Sequence, residues 1–340
     1  MTGHLVLRAG AYSIRMGRRP LLVSLGLVAA ALVLGFVGLC FGASWSDPAE
    51  VLAALAGQGD SVVVIRDWRL ARVAAALVFG AALGLAGAIF QNLTRNALGS
   101  PDVIGLDAGS YTGALFAITV LSSTPAQLAV SSVAGGMATA AVIYFLSLRS
   151  GLNGMRLIVI GIAMNAMLTA LNTWIVLRAE LEIAMAATGW SAGSLNGVDW
   201  GELALPFTVV GALAILLMTL SPGMHQTALG DDLAVTSGVR LNRLRLLLVV
   251  AGVGCTATVT AVAGPIVFIS LAAPQIGRLL AGTAGVALLP AALTGGVLLL
   301  AADLGAQVVF APIALPVGVV TTVIGGGYLI WLLVRRAGRG

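Results

Sequence analysis

The chain has 340 residues, of which 59% are hydrophobic and only 9% charged, and its mean hydropathy is +1.05. A soluble domain carries roughly 25% charged residues, so the charges here are too few to solvate a folded surface, and the bilayer is the expected solvent for most of the chain. The formal net charge is +5, yet every basic residue is arginine; without lysine there is no Walker A loop for ATP phosphates and no Schiff-base or lysine-base chemistry.

Stretches of about 20 apolar residues with polar punctuation mark membrane-spanning helices. In chain order the clear ones are Leu21–Ala43, Ala126–Leu148, Leu157–Leu177, Leu203–Leu220, Leu244–Ala263, Ala287–Phe310 and Pro316–Val334. Three are weaker and also fit re-entrant pieces. Leu70–Phe90 starts among arginines, Val103–Leu121 is glycine-rich and holds Asp107, and Pro265–Gly282 is short and holds Arg278. The expected fold is all-α and polytopic, with about ten transmembrane helices. Arg18 and Arg19 precede the first run, but its 23 residues exceed the roughly 7–15 of a signal peptide, so a retained span is expected.

Ten spans put both termini on one side, and both termini are basic. The positive-inside rule assigns them to the cytoplasm, with a tail at 1–20, a single transmembrane domain at 21–335 and a tail at 336–340. Fourteen of the eighteen arginines then fall inside, among them Arg95, Arg149, Arg156, Arg240, Arg243, Arg245 and Arg278. Outside are Arg66, Arg69, Arg72 and Arg178, in company with most of the acidic residues. The arginines are dispersed between apolar runs and form no single basic face, so nucleic acid is not an expected partner. Cys40 and Cys255 lie within apolar runs and are not expected to pair, and the two histidines, His4 and His225, belong to no cluster with metal-ligand spacing.

Glycines four apart (Gly38 with Gly42, Gly80 with Gly84, and the ladder Gly105, Gly109, Gly113) let helix backbones approach closely. A faint internal echo links Ala86–Phe90 and Pro101–Gly105 with Ala263–Phe268 and Pro274–Gly277, on spans that run in opposite directions. That is the arrangement expected of inverted repeats in transporters. Asp303 is the one ionisable residue deep in a clear span. It fits either a cavity-lining, ion-coupling carboxylate or a residue hydrogen-bonded within the bundle near a helix end. The absence of a second intramembrane carboxylate in a clear span counts against a proton relay.

Several segments together resemble one family. They are Arg69-Leu70-Ala71-Arg72, Gly80–Gly87, Gln91–Gly105, Ala263–Phe268, Pro274-Gln275-Ile276, Ala302-Asp303 and Leu315–Thr321. On these the chain resembles the FecCD family, the membrane permeases of ABC importers for iron–siderophore complexes, haem and cobalamin, over roughly residues 20–335. Ala71 and Ala97 stand where the family pattern usually has proline, and Gln307 where members often have arginine.

The resemblance implies a ten-span cobalamin-importer-like permease in the cell membrane, not an enzyme and with no cofactor of its own. A second permease subunit, expected to be a paralogue, would complete the pathway. Two separate ATPase subunits would use ATP and Mg²⁺, and an extracytoplasmic binding protein would deliver the cargo. It also implies site residues. Arg69 and Arg72 would dock the binding protein, the plainer alternative being a span-end pair anchored at the interface. Residues 224–240 would form the coupling loop seated on the ATPase, carried by Leu229, Gly230, Asp231, Asp232, Leu233 and Gly238. An ordinary amphipathic surface loop is the alternative there. Leu229 and Leu233 share a helix face, and an Asp at the start suits the helix dipole. Asn96 and Leu98 would lie at a cytoplasmic gate, or form no more than a polar helix-end turn. The segments 178–184 and 190–197 look most like the ferric-siderophore branch, in particular catecholate, enterobactin-type permeases. Cobalamin or haem through the same machinery is the alternative cargo, and a secondary transporter is the alternative class.

Overall fold

Each of the ten apolar stretches forms one helix, as it must where no water is present to satisfy backbone N–H and C=O groups. In the computed structural model residues 4–9, 12–42, 45–121, 124–148, 154–283, 285–309, 311 and 315–337 are described. The ten long helices are α1 (Arg18–Cys40), α3 (Leu70–Thr94), α4 (Leu106–Val120), α5 (Pro125–Leu148), α6 (Gly154–Arg178), α8 (Trp200–Ala228), α10 (Leu241–Ala263), α11 (Ile269–Ala281), α12 (Leu288–Val308) and α13 (Val317–Ala337). Shorter helices punctuate them: α2 (Pro48–Leu55), α7 (Leu181–Ser191), α9 (Asp231–Thr236) and a π-helical turn at Val63–Arg69 that runs straight into α3. Ala43, Arg149, Phe310 and Arg339 lie outside the described residues, as does the tail from 338 onward. The only strands among the described residues are a terminal hairpin, β1 (His4–Ala9) against β2 (Tyr12–Gly17), so the tail expected at 1–20 carries local structure before α1 begins.

Among the described residues seven helices are long and apolar enough to cross a membrane, and the chain is a multi-pass membrane protein. Two of the weak segments, α4 and α11, have only 15 and 13 helical residues. At 1.5 Å per residue they reach about 20 Å, short of a hydrocarbon core of about 30 Å. Each follows an irregular stretch that ends in a left-handed residue, Gly105 before α4 and Phe268 before α11.

Buried surface concentrates on α3. In the most apolar window of the continuous helix 63–94, 78% of residues are buried, against 11% in α1 and α6. Small residues make this possible. A Cβ on Gly80 would collide with the Gly295 carbonyl, and one on Gly84 with the Ala291 carbonyl. The pairs 72–303, 80–295 and 84–291 step along α3 and α12 in opposite directions in one register, so the helices are antiparallel and in backbone contact. Gly109 and Gly113 seat α4 on α5 in the same manner, against Thr139 and Ser131. Phe79, Ile65, Leu299 and Leu300 fill the core beside them.

Local signals set several helix starts. Asp47 Oδ1 accepts the Ala49 N–H at 2.8 Å with Pro48 opening α2, and Asp199 Oδ1 accepts the Glu202 N–H at 3.1 Å at the head of α8. Arg19 Nε donates to the Leu280 carbonyl at 3.0 Å, satisfying one of the last carbonyls of α11.

Candidate functional site

The arginines sort by the ends of α3. At its start, the π-helical turn brings Arg69 to the end of α1, where its Nη1 donates to Leu39 O, Cys40 O and Ser46 Oγ at 2.8, 3.1 and 3.0 Å. Gly42 leaves the room for this guanidinium: a Cβ there would touch it. Three residues on, Arg72 meets Asp303 of α12 side-on, Nε to Oδ2 and Nη2 to Oδ1, both at 2.8 Å. Gln307 Nε2 donates to the same Oδ2 at 2.9 Å. Asp303 is therefore hydrogen-bonded within the bundle, as the second of its two sequence readings has it. The side chains of the pair are 18% and 2% exposed. Nearby, the Arg66 side chain is exposed while its carbonyl accepts from Trp200 Nε1 at 2.8 Å. Arg66, Arg69 and Arg72, grouped by the charge count, are thus at one end of the bundle.

The other end of α3 gathers Arg95, Arg245 and Arg278. Arg95 closes the helix in a left-handed conformation, φ 50° and ψ 30°. Its Nη2 donates to Asp231 Oδ1 at 2.8 Å, and Arg245 Nη2 donates to Asp231 Oδ2 at 2.8 Å. Asp231 and Asp232 occupy the first turn of α9, where negative charge suits the helix dipole; Gly230 caps that turn with φ 125°. Leu229 and Leu233 are 74% and 59% exposed, and Val235 is exposed beside them, so α9 presents apolar side chains outward. Gly238, at φ 86°, ends the turn after α9, and its N–H bonds the Val235 carbonyl.

Asn96 follows Arg95 directly. Its Oδ1 accepts the Leu98 N–H at 3.0 Å, an Asx turn that exposes Leu98. Beneath this turn an open cavity of about 430 Å³ is lined by Gln91, Asn92, Arg95, Asn96, Gln275 and Arg278 among others. Gln91 and Gln275 join across it: Gln275 Nε2 donates to Gln91 Oε1 at 2.6 Å, Gln91 Nε2 to Leu271 O at 3.0 Å, and Arg278 Nη2 to Gln275 Oε1 at 2.8 Å. The structure thus brings the expected gate and coupling residues to one end, and the expected docking arginines to the other.

Sequence reasoning passed over Asp102, Gln91 and Gln275 as functional candidates. Asp102 Oδ1 accepts from Ser270 Oγ at 3.0 Å, and its Oδ2 from the Phe268 N–H at a long 3.4 Å. Segment 101–105 in the first half of the echo therefore meets segment 263–268 in the second. The echo itself was the available signal; its two halves pack together through this carboxylate. Among the described residues no group of three or more His, Cys, Asp or Glu could hold a metal ion.

Comparison with known proteins shows the family and the fold. The chain is 45% identical over 326 residues to the ferric enterobactin permease FepG of Escherichia coli strain K12, covering 95% of this chain and 99% of that one. It is 35% identical over 319 residues to the vitamin B12 import permease BtuC of Klebsiella pneumoniae, covering 93% and 94%. A solved metal-chelate-type ABC transporter in an inward-facing conformation superimposes with a TM-score of 0.82 at 27% identity, over 92% of this chain and 99% of that one. Residues 30–335 match the family profile, and the chain belongs to the FecCD transport family.

Proposed function

We propose that this chain is the membrane permease subunit of an ATP-driven importer that carries ferric siderophores of the catecholate, enterobactin-like class into the cytoplasm. The similarity to the ferric enterobactin permease over almost the whole of both chains carries this reading. The similarity to a vitamin B12 permease at 35% identity favours one alternative, the same machinery with cobalamin as cargo. In this reading ATP and Mg²⁺ are used by two separate ATPase subunits. A paralogous permease completes the pathway, and both termini face the cytoplasm of the cell across its inner or plasma membrane.

The two ends of α3 then take complementary roles. The end holding Arg69 and Arg72 faces outward and receives the binding protein. Arg72's side-on pair with Asp303 occupies two of five guanidinium N–H groups, and the other three have no partner among the described residues, which leaves them for an incoming carboxylate. Complementary charge of this kind sets encounter rate and register more than affinity. The end holding α9 faces the ATPase. Leu229 and Leu233 are the apolar contact, Asp231 and Asp232 charge the helix start, and Gly230 and Gly238 bound the turn at its two sides. The Asn96–Leu98 turn forms the gate above it.

The test is uptake of radioactive iron, as catecholate, hydroxamate and citrate chelates, by cells lacking this gene, with labelled cobalamin in parallel. Loss of catecholate-bound iron uptake alone, restored by the gene only with a hydrolysis-competent ATPase, is expected. Loss of cobalamin uptake alone would transfer the cargo assignment to cobalamin. Restoration without any ATPase would overturn the importer class.

A further inference from the structure

We propose that Asp231 is the positioning residue that carries movement of α9 into the 95–98 turn. The inference deepens the proposed role of α9 as the ATPase seat and rests on it. Asp231 divides its two carboxylate oxygens between partners from different elements, Arg95 at the end of α3 and Arg245 at the start of α10, each at 2.8 Å. The Arg95 guanidinium also donates to the Thr227 carbonyl at 3.3 Å, at the end of α8. Two helix ends therefore meet the first turn of α9 at one carboxylate, and the end of α8 is tied to them through Arg95.

Among the described residues Arg95 is the only non-glycine one at the helix ends around this cavity held with φ near +50°, and Asn96 begins the exposed turn immediately after it. A displacement of α9 must draw Arg95, and with it Asn96 and Leu98, or break a charge-assisted bond. Leu229 and Leu233 receive the push, the 95–98 turn moves, and Asp231 connects them. Asp232, its neighbour in the same first turn, is exposed and makes no ion pair among the described residues, so it supplies an internal control.

The experiment uses the full chain reconstituted in lipid vesicles with the ATPase that co-purifies with it, and reads cargo transported per ATP hydrolysed. Coupling links between sites typically correspond to a factor of about 5–150, and Asp231→Asn is expected to lower transport per ATP by about tenfold while the ATPase stays bound. Arg95→Ala should do the same, and the double variant should be no worse than either single one. Asp231→Glu should preserve coupling, and Asp232→Asn, which removes a charge from the same turn without breaking an ion pair, should cost much less than Asp231→Asn. Unchanged transport per ATP in Asp231→Asn overturns the proposal. So does an equal loss in Asp232→Asn, which would mark a general charge effect, or release of the ATPase by Asp231→Asn, which would make Asp231 part of the seat. Leu229→Asp with Leu233→Asp tests the underlying reading separately: retention of the ATPase there would remove α9 as its seat, whatever Asp231 does.

Discussion

Both ends of α3 present an arginine to an aspartate, about 35 Å apart along the helix, and the two pairs are built differently. At the Arg72 end one carboxylate faces one guanidinium side-on, with Gln307 as a further donor, and Asp303 is almost fully buried. At the Arg95 end one carboxylate is shared by two guanidinium groups, and the Arg95 and Asp231 side chains are 57% and 39% exposed. A buried charge must keep its partner, because its removal leaves the other charge desolvated. An exposed charge is hydrated on either side of a movement, so its partner can change. The first arrangement suits a fixed rim and the second a moving joint.

Four variants would break or sharpen this contrast. Asp303→Ala is expected to have the largest effect, about 3–5 kcal/mol of lost stability, since it strands the half-buried Arg72 without its buried partner; the thermal midpoint of the detergent-purified chain reads it. Gly84→Leu should follow, costing about 1–3 kcal/mol or more, because its side chain must displace the Ala291 backbone and shift the register that aligns Arg72 with Asp303. Folded yield by size exclusion and the same melting experiment check it.

Arg72→Gln with Asp303→Asn removes both charges together. It should stay within about 1.5 kcal/mol of the parent, as replacing both partners of a buried polar pair is far milder than removing one. Under the proposed function it should slow binding-protein association at low salt, measured by surface-based kinetics; an unchanged on-rate would take Arg72 out of the docking assignment. Asp231→Asn should be the mildest for stability, costing about 0–1 kcal/mol. Raising salt from 0.05 to about 0.5 M should erase that small difference in melting, while the Asp303→Ala difference persists, because exposed pairs are screened and buried ones are not. Equal salt sensitivity at the two ends would end the contrast.

Much of the architecture was legible before any coordinates. Apolar length and arginine punctuation located all ten long helices, and the Gly80–Gly84 and Gly109–Gly113 spacings marked true close contacts. The weakness of Val103–Leu121 and Pro265–Gly282 was informative too, since α4 and α11 are the two short helices. Less legible were α2, α7 and the π-helical turn. Hydropathy over a 20-residue window averages such short elements away, although Asp47-Pro48 is a helix-start signal in its own right. Within the candidate site, the motif residues Arg69, Arg72, Asn96 and Asp231 could be named but not connected. Arg72 meets a partner 231 positions away, and Arg95 one 136 positions away.

The amino-acid sequence by itself determined the solvent, the number of long helices and the sorting of arginines to two ends. Each of these follows from local composition: an apolar run must form a helix in lipid, and an arginine must reach its edge. Only the tertiary structure decided which arginine meets which aspartate. That depends on the register between distant antiparallel helices, set where glycine lets α3 and α12 touch backbone to backbone, and on the fold that brings the ends of α3 and α10 to a single carboxylate at the start of α9, with the end of α8 held to Arg95 beside it.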